Sequence, residues 1–216
     1  MERRDRTEGG KLLSTIKTAA AARIRRAGAP NRVRIIGGRY RRTPIPVAAS
    51  AQLRPTPDRV RQTVFDWLSH LYHDLASARG LDLFAGTGAL GFELASRGAR
   101  QVTLIERDPT LVRRLVALRD RLEAREVQII EGDAIEVARR LPPASFDLIF
   151  VDPPYRGPLL RPALTLACRL LAPGGSIYAE AGTALKDTDL EALGLSAVRT
   201  GRASRVHFHL LGLQQS

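Results

Sequence analysis

The sequence has almost no cysteine, little lysine and no long apolar run. One Cys, Cys168, among 216 residues cannot form an internal bridge or a zinc cage, which excludes small disulfide scaffolds and Cys-rich metal folds. It lies in an apolar helical stretch and reads as a buried core thiol of a reducing compartment, so the cytoplasm is the expected location. No stretch approaches the ~18 apolar residues that cross a bilayer, and the opening Met-Glu-Arg-Arg-Asp-Arg lacks the apolar centre of a secretory signal. Neither membrane insertion nor export is expected. The length is enough to enclose a hydrophobic core without staples, in one large domain or one domain with an appendage.

Acidic residues are scarce at one end only. Residues 1–62 hold 16 Lys/Arg and 4 Asp/Glu, whereas residues 63–216 hold 18 of each. The whole formal charge of +12 therefore sits in the N-terminal segment. A neutral body with a basic attachment suggests a grip for a polyanion, because each cation that meets a phosphate displaces condensed counterions. Of the 34 cations, 31 are Arg, whose planar fork pairs two phosphate oxygens or stacks on a base. For residues 1–31 alone, a solvated basic tail is an equally good reading.

Three segments are expected. Residues 1–31 form a basic flexible arm. Residues 32–55 form a basic hairpin extension, with Arg on alternating positions and a turn at Gly37 and Gly38. Residues 56–216 form the body. At its start Thr56-Pro57-Asp58 opens a helix whose apolar stripe is Val60, Val64, Trp67, Leu68 and Leu71, leaving Arg59, Arg61 and Gln62 on the other face. From residue 80 the pattern alternates, with strands at 80–84, 102–106, 127–131, 146–151 and 175–180. Helices are expected near 88–97, 109–124, 134–141 and 158–171. Such repetition specifies an α/β fold with a parallel sheet covered by helices on both faces. Runs at 195–199 and 204–212 have no ten-residue helix between them and pair as a C-terminal antiparallel hairpin, giving a mostly parallel sheet of seven strands.

Open α/β sheets bind ligands beyond the C-terminal ends of their strands, and there the residues form a coherent set. After the first strand, Asp82-Leu83-Phe84-Ala85-Gly86-Thr87-Gly88-Ala89-Leu90-Gly91 is a nucleotide-type loop leading into a helix N-terminus. Glu106 closes the second strand, where a carboxylate accepts hydrogen bonds from two ribose hydroxyls. Asp133, after the third, is placed to accept from an adenine amine. The fourth strand runs into Asp152-Pro153-Pro154-Tyr155. Its prolines stiffen the turn and remove N–H donors, leaving carbonyls to accept beside a carboxylate and an aromatic ring. Such a cage suits a planar substrate bearing an NH2 group: the ring stacks on Tyr155 while Asp152 and the Pro153 carbonyl accept the two N–H bonds. Acceptors on those hydrogens favour a pyramidal nitrogen and aim its lone pair at an electrophile.

These motifs look like the successive motifs of class I S-adenosylmethionine-dependent amino-methyltransferases. More narrowly, Arg34-Ile35-Ile36-Gly37-Gly38, Leu53-Arg54-Pro55-Thr56-Pro57-Asp58-Arg59-Val60-Arg61 and the Gly loop resemble the RsmD family, which methylates N2 of a guanine in 16S ribosomal RNA. The resemblance covers roughly residues 32–211, and Ser176-Ile177-Tyr178-Ala179-Glu180 is similar to the family's fifth strand. It implies a Rossmann-like fold and S-adenosyl-L-methionine as donor. The donor would be held by Asp82, Phe84, Ala85, Gly86, Gly88, Glu106, Arg107, Asp133, Ala134 and Asp152, with its methionine end near Asp82 and Asp152. The catalytic corner would be Asp152, Pro153, Pro154 and Tyr155, with no metal. The RNA would be gripped by Arg39, Arg41, Arg42, Arg54, Arg59 and Arg61. The expected partner is ribosomal RNA or the small ribosomal subunit, and the expected state a monomer.

Rival readings remain at this stage. A DNA adenine or cytosine amino-methyltransferase would use the same cage. A nicotinamide-dependent oxidoreductase accounts for the glycines and Glu106 but not for Asp-Pro-Pro-Tyr, and a non-catalytic RNA-binding assembly factor would retain only the donor pocket. His70 and His73 read as surface residues, His207 and His209 as sheet-face positions, and Trp67 as core.

Overall fold

The computed structural model describes residues 33–47, 56–72, 74–154 and 158–214. The expected arm, Arg54, His73 and Tyr155 lie outside the described residues. A short antiparallel hairpin, β1 (Val33–Arg34) with β2 (Pro44–Ile45), comes first. It is followed by α1 (Asp58–Leu71), β3 (Arg79–Asp82), α2 (Ala89–Ser96), β4 (Gln101–Glu106), α3 (Pro109–Leu122), β5 (Val127–Glu131) and α4 (Ala134–Arg140). Then come β6 (Phe146–Val151), α5 (Leu160–Leu170), β7 (Leu171–Ala181), α6 (Asp187–Glu191), β8 (Leu195–Ala203) and β9 (Val206–Leu213). The seven-stranded sheet has the order β5-β4-β3-β6-β7-β9-β8. Its first five strands run parallel, and β9 and then β8 close the edge antiparallel.

Alternation along the strands makes two cores. Leu148 and Phe150 of β6 join Val102 and Leu104 of β4 on one face, under Val64, Phe65 and Leu68 of α1, Phe92 and Leu94 of α2 and Leu115 of α3. Ile149 and Val151 point the other way with Leu81, Ile105 and Ile177, against Ala163, Leu164, Ala167 and Leu170 of α5. Each fully buried Val, Leu, Ile or Phe among them contributes roughly 1.5–3 kcal/mol over the exposed state. Because both faces are covered, β6 is apolar at nearly every position. The chain moves from β3 outward to β5, then returns to β6 beside β3, so the topological switch point, and the crevice it creates, falls between β3 and β6.

The hairpin is packed into the body's first core, through Val33, Ile35, Tyr40 and Ile45. Glu93 of α2, fully buried, accepts from the Ile36 amide (2.6 Å) and the Gly37 amide (2.8 Å). Ser96 accepts from the Arg39 amide at its carbonyl (2.7 Å) and from the Tyr40 amide at its hydroxyl (2.8 Å). Gly38 is required here: its φ is +74°, and a Cβ would lie 1.8 Å from the Ser96 carbonyl oxygen. The Tyr40 hydroxyl donates to Glu126 (2.9 Å); burial and that carboxylate push the phenol up to about 12.

Arg61 departs from expectation. Rather than meeting RNA from the open face of α1, its side chain is completely buried. It donates to Asp58 Oδ1 (2.7 Å), the Arg34 carbonyl (2.8 Å) and the Ala89 carbonyl (3.4 Å), and lies 3.8 Å from Glu93. Arg61 thus ties hairpin, α1 and the start of α2 around one buried ion pair. Glu93→Ala, which leaves that guanidinium buried without its fully buried counter-charge, is expected to cost about 3–5 kcal/mol. Urea unfolding measures this; a loss below about 1 kcal/mol would show the pair to behave like a surface one.

Candidate active site

The strand ends bring most of the expected residues to one edge of the sheet. Asp82 is the last residue of β3 and is 2% exposed. Its Oδ2 accepts from the Gly91 amide in the first turn of α2 (3.2 Å), while Oδ1 is buried with no hydrogen-bond partner among the described residues. Burial raises the Asp82 carboxyl to about 7, with the Gly91 and Phe84 amides opposing the shift and Glu106 adding to it. Between β3 and α2 the chain turns sharply. Gly86 has φ +53° and Gly88 φ +78°, and a Cβ on Gly88 would meet Leu115 and Phe92 at 2.6 and 2.7 Å. Ala85 and Gly88 are buried, Phe84 and Gly86 half-buried.

Glu106 closes β4 and fixes this loop. Its Oε2 accepts from the Gly86 amide (2.8 Å), and its Oε1 from the amides of Arg107 and Asp108 (2.9 Å each). The carboxylate is therefore anchored on both oxygens, with one acceptor site remaining, on Oε2. Asp133 caps α4 through Oδ1, which accepts from Ile135 (2.9 Å) and Glu136 (3.2 Å). Ala134 behind it is buried. The Arg107 side chain is exposed.

Asp152 follows directly on β6. Pro153 is buried, Pro154 exposed, and no group among the described residues donates to the Pro153 carbonyl. Two residues absent from the expected set complete this corner. Thr56, just before α1 and buried, donates to Glu180 Oε1 (2.7 Å) and lies 3.4 Å from Asp152 Oδ2. Glu180, near the end of β7 and 2% exposed, also accepts from the Tyr178 hydroxyl at Oε1 (2.8 Å). The pairing of Val151 with Ala179 sets Asp152 and Glu180 side by side on neighbouring strands. Burial raises the Asp152 carboxyl well above the usual range, with the charges of Glu180 and Asp82 adding to it and the Thr56 hydroxyl opposing it. Both residues carried a sequence signal. Glu180 closes an apolar strand as Glu106 does, and Thr56 stands in the Arg-Pro-Thr-Pro-Asp block, which opens a helix and carries part of the family resemblance.

The expected RNA contacts divide. Arg39, Arg41, Arg42 and Arg59 are exposed, whereas Arg61 is sequestered. The hairpin runs along α2 from Arg34, joined through Arg61 to Ala89, to Arg39 at Ser96. Its basic tip therefore stands at the end of α2 away from the Gly loop, about 12 Å along the helix at 1.5 Å per residue. Trp67 packs on Phe208 (ring centroids 5.4 Å) as expected for core. His70 is exposed, and His209, on β9, is buried. Cys168 is half-buried rather than fully so.

A switch-point crevice lined by a Gly loop, strand-end carboxylates and a proline corner defines a Rossmann-like methyltransferase of class I. The family model described as Conserved hypothetical protein 95 matches residues 33–211, and the chain belongs to that family, the RsmD family. It is 42% identical over 135 residues to Ribosomal RNA small subunit methyltransferase D of Escherichia coli (strain K12), a match covering 62% of this chain and 66% of that protein, just under two thirds of its length. With the protein of the same name from Haemophilus influenzae it shares 36% identity over 165 residues, 73% of this chain and 83% of the relative. A solved Escherichia coli structure, described as that of a candidate methyltransferase, yhhF, superposes with a TM-score of 0.72 at 33% identity, covering 86% of this chain and 99% of that one.

Proposed function

We propose that the protein transfers a methyl group from S-adenosyl-L-methionine to the exocyclic N2 of a guanine in small-subunit ribosomal RNA, acting in the cytoplasm as a monomer. The observation that carries this reading is the corner at the end of β6, where Asp152 and the Pro153 carbonyl follow the strand beside the buried Asp82, whose charge reaches Asp152. The names of the relatives support ribosomal RNA as the substrate. Among the described residues no helix is long and apolar enough to cross a membrane.

The residues fit the donor. Asp82 Oδ1, buried without a partner among the described residues, suits an ammonium group, because a buried acceptor left unmade costs about 1–3 kcal/mol. The Gly86–Gly88 turn, with Phe84 and Ala85, allows close backbone approach. The acceptor site left on Glu106 Oε2 suits a ribose hydroxyl, with Arg107 beside it. Asp133 Oδ2, which has no partner among the described residues, suits an adenine amine above Ala134. When bound, S-adenosylmethionine supplies an electrophilic methyl group. For their part, Asp152 and the Pro153 carbonyl accept the two amine hydrogens, orient the nitrogen lone pair outward and hold it in place, so positioning and fixed acceptors account for most of the rate. Pro154 stiffens the corner and Tyr155 supplies the stacking face. Asp152, whose affinity for protons is raised, takes the proton that the methylated nitrogen gives up.

The exposed Arg39, Arg41, Arg42 and Arg59, with Arg54, hold flanking phosphates. Because the hairpin tip lies away from the Gly loop, neutralising Arg39, Arg41 and Arg42 together is expected to raise KM for RNA and leave kcat unchanged. The slope of log affinity against log salt should flatten by about 2, at roughly 0.7 per single-strand phosphate contact. An unchanged slope would remove these arginines from the interface. The function itself is tested by tritium transfer from labelled donor to small subunits, naked ribosomal RNA and duplex DNA. Incorporation into the first or second supports it; incorporation into DNA alone would make the chain a DNA amino-methyltransferase, and donor binding without incorporation an assembly factor.

A further inference from the structure

We infer that the β8–β9 turn, through Arg202 and Arg205, holds the phosphates next to the target base on the RNA strand that enters the crevice. This rests on the RNA-methylation reading above and adds where the substrate strand is gripped beside the reacting base. Beyond Glu191 the sequence has no acidic residue, and its only Lys/Arg there are Arg199, Arg202 and Arg205. All three are exposed, and none has a carboxylate partner among the described residues.

The turn is built to present them. Arg202 pairs with His207 and Ala203 with Val206, so Ser204 and Arg205 make a two-residue hairpin loop. Ser204 holds a left-handed conformation, φ +56°, and Arg202 Nε donates to its carbonyl (3.1 Å). That bond pins the guanidinium beside the turn and leaves both Nη groups without a partner among the described residues, in the planar fork that matches phosphate oxygens. The base of the turn is seated on the core: a Cβ on Gly201 would overlap the Phe208 ring, which packs on Trp67 of α1.

Strand register places this turn at the catalytic edge. Val151, Ala179, His209 and Thr200 form one row across β6, β7, β9 and β8. Asp152 stands one residue beyond that row and Arg202 two, on the same edge of the sheet. They are three strand spacings apart, about 14 Å at about 4.8 Å each. The tip of the N-terminal hairpin belongs to the other edge, since Arg39 is bound to Ser96 at the end of α2 and Tyr40 to Glu126, just before β5. A strand whose base enters the crevice therefore meets Arg202 and Arg205 within a few nucleotides, and phosphates at Arg39, Arg41 and Arg42 lie further along the RNA.

The test compares three variants on whichever of small subunits or naked ribosomal RNA accepts the methyl group. One combines Arg202→Gln with Arg205→Gln, a second is Arg199→Gln, which removes charge from β8 away from the turn, and the third neutralises Arg39, Arg41 and Arg42. Losing two phosphate contacts at the turn should flatten the slope of log affinity against log salt by about 1.4. KM should rise about tenfold and, because the reacting base is held less firmly, kcat should fall about fivefold. Arg199→Gln should stay within about twofold of wild type, and the hairpin variant should change KM alone. Retained thermal midpoint and donor affinity establish that the turn variant is folded. An unchanged salt slope, a flattened slope with kcat unchanged, or an equal loss in Arg199→Gln would each overturn the inference and leave the methylation reading intact. Failure of the wild type to methylate either RNA would instead refute that reading, and an unchanged salt slope of donor-free RNA binding would still overturn the inference on its own.

Discussion

Replacing Asp152 with alanine is expected to abolish methyl transfer, by about 1,000-fold or more in kcat, while donor affinity stays within about tenfold. The asymmetry follows from where the contacts go. In the proposed mechanism Asp152 stands on the substrate side of the crevice, where its carboxylate would orient the attacking amine and then receive its proton. The proposed donor contacts of Asp82, the Gly loop and Glu106 are untouched by the substitution. Asp152→Asn, which keeps one carbonyl acceptor but cannot take a proton, should fall between the two. Alanine should also make the ligand-free protein no less stable, because it removes a carboxylate crowded by Glu180 and Asp82. Single-turnover rates and donor titration separate the effects. If turnover survives in the alanine variant, the acceptor corner is not where the nucleophile sits.

Asp82→Asn is expected to produce the other large change, in donor binding and its pH dependence. A charge-assisted contact from a buried carboxylate to an ammonium group contributes about 1.5–3 kcal/mol, so affinity should drop by roughly 10- to 150-fold. Burial raises the wild-type carboxyl to about 7, so donor affinity should rise about fivefold between pH 6 and pH 7, about tenfold by pH 8, and level off above that. The asparagine variant should lose that dependence. The sign for stability is the reverse. Its pKa is raised on folding, so the folded ligand-free protein holds a proton that the unfolded chain has released. Asp82's contribution is thus fully present below about pH 4 and is lost as the pH rises through about 7. A rise of about three units corresponds to an order of 4 kcal/mol. Urea unfolding of the ligand-free protein between pH 5 and pH 8.5 should show stability declining, less steeply in Asp82→Asn. Asp152, also raised, keeps part of the slope. A wild-type profile that is flat would contradict the buried, half-satisfied state of Asp82.

The sheet was legible because its determinants are local and repeated. Strands with apolar residues on both faces, separated by helical periodicity, allow one architecture, and the observed strand ends fall within a few residues of those expected. Asp82, Glu106, Asp133 and Asp152 were legible for the same reason, since a polar residue that ends an apolar strand has few places to point. What was missed depends on pairing across the fold. Arg61 reads as an exposed cation on an amphipathic helix, and only the distant Glu93 and the docked hairpin convert it into a buried tie. The Arg-Pro-Thr-Pro-Asp block marks Thr56 as part of a motif, but nothing local points its hydroxyl at Glu180, 124 residues away. The hairpin reads as an appendage because its Arg residues are conspicuous, while Val33, Ile35, Tyr40 and Ile45, which seat it in the core, are few and scattered. The five-residue α6 (Asp187–Glu191) is too short for periodicity to reveal.

The central claim is that one crevice holds a guanine amine against the methyl donor. Ribosomal RNA from a strain lacking the protein, treated with purified enzyme and labelled donor and digested to nucleosides for mass spectrometry, tests it most directly. The expected result is N2-methylguanosine missing from one position of small-subunit RNA and restored there with label. Label on a ribose, a ring carbon or an adenine, or an unchanged content of N2-methylguanosine in the deletion strain, would contradict it.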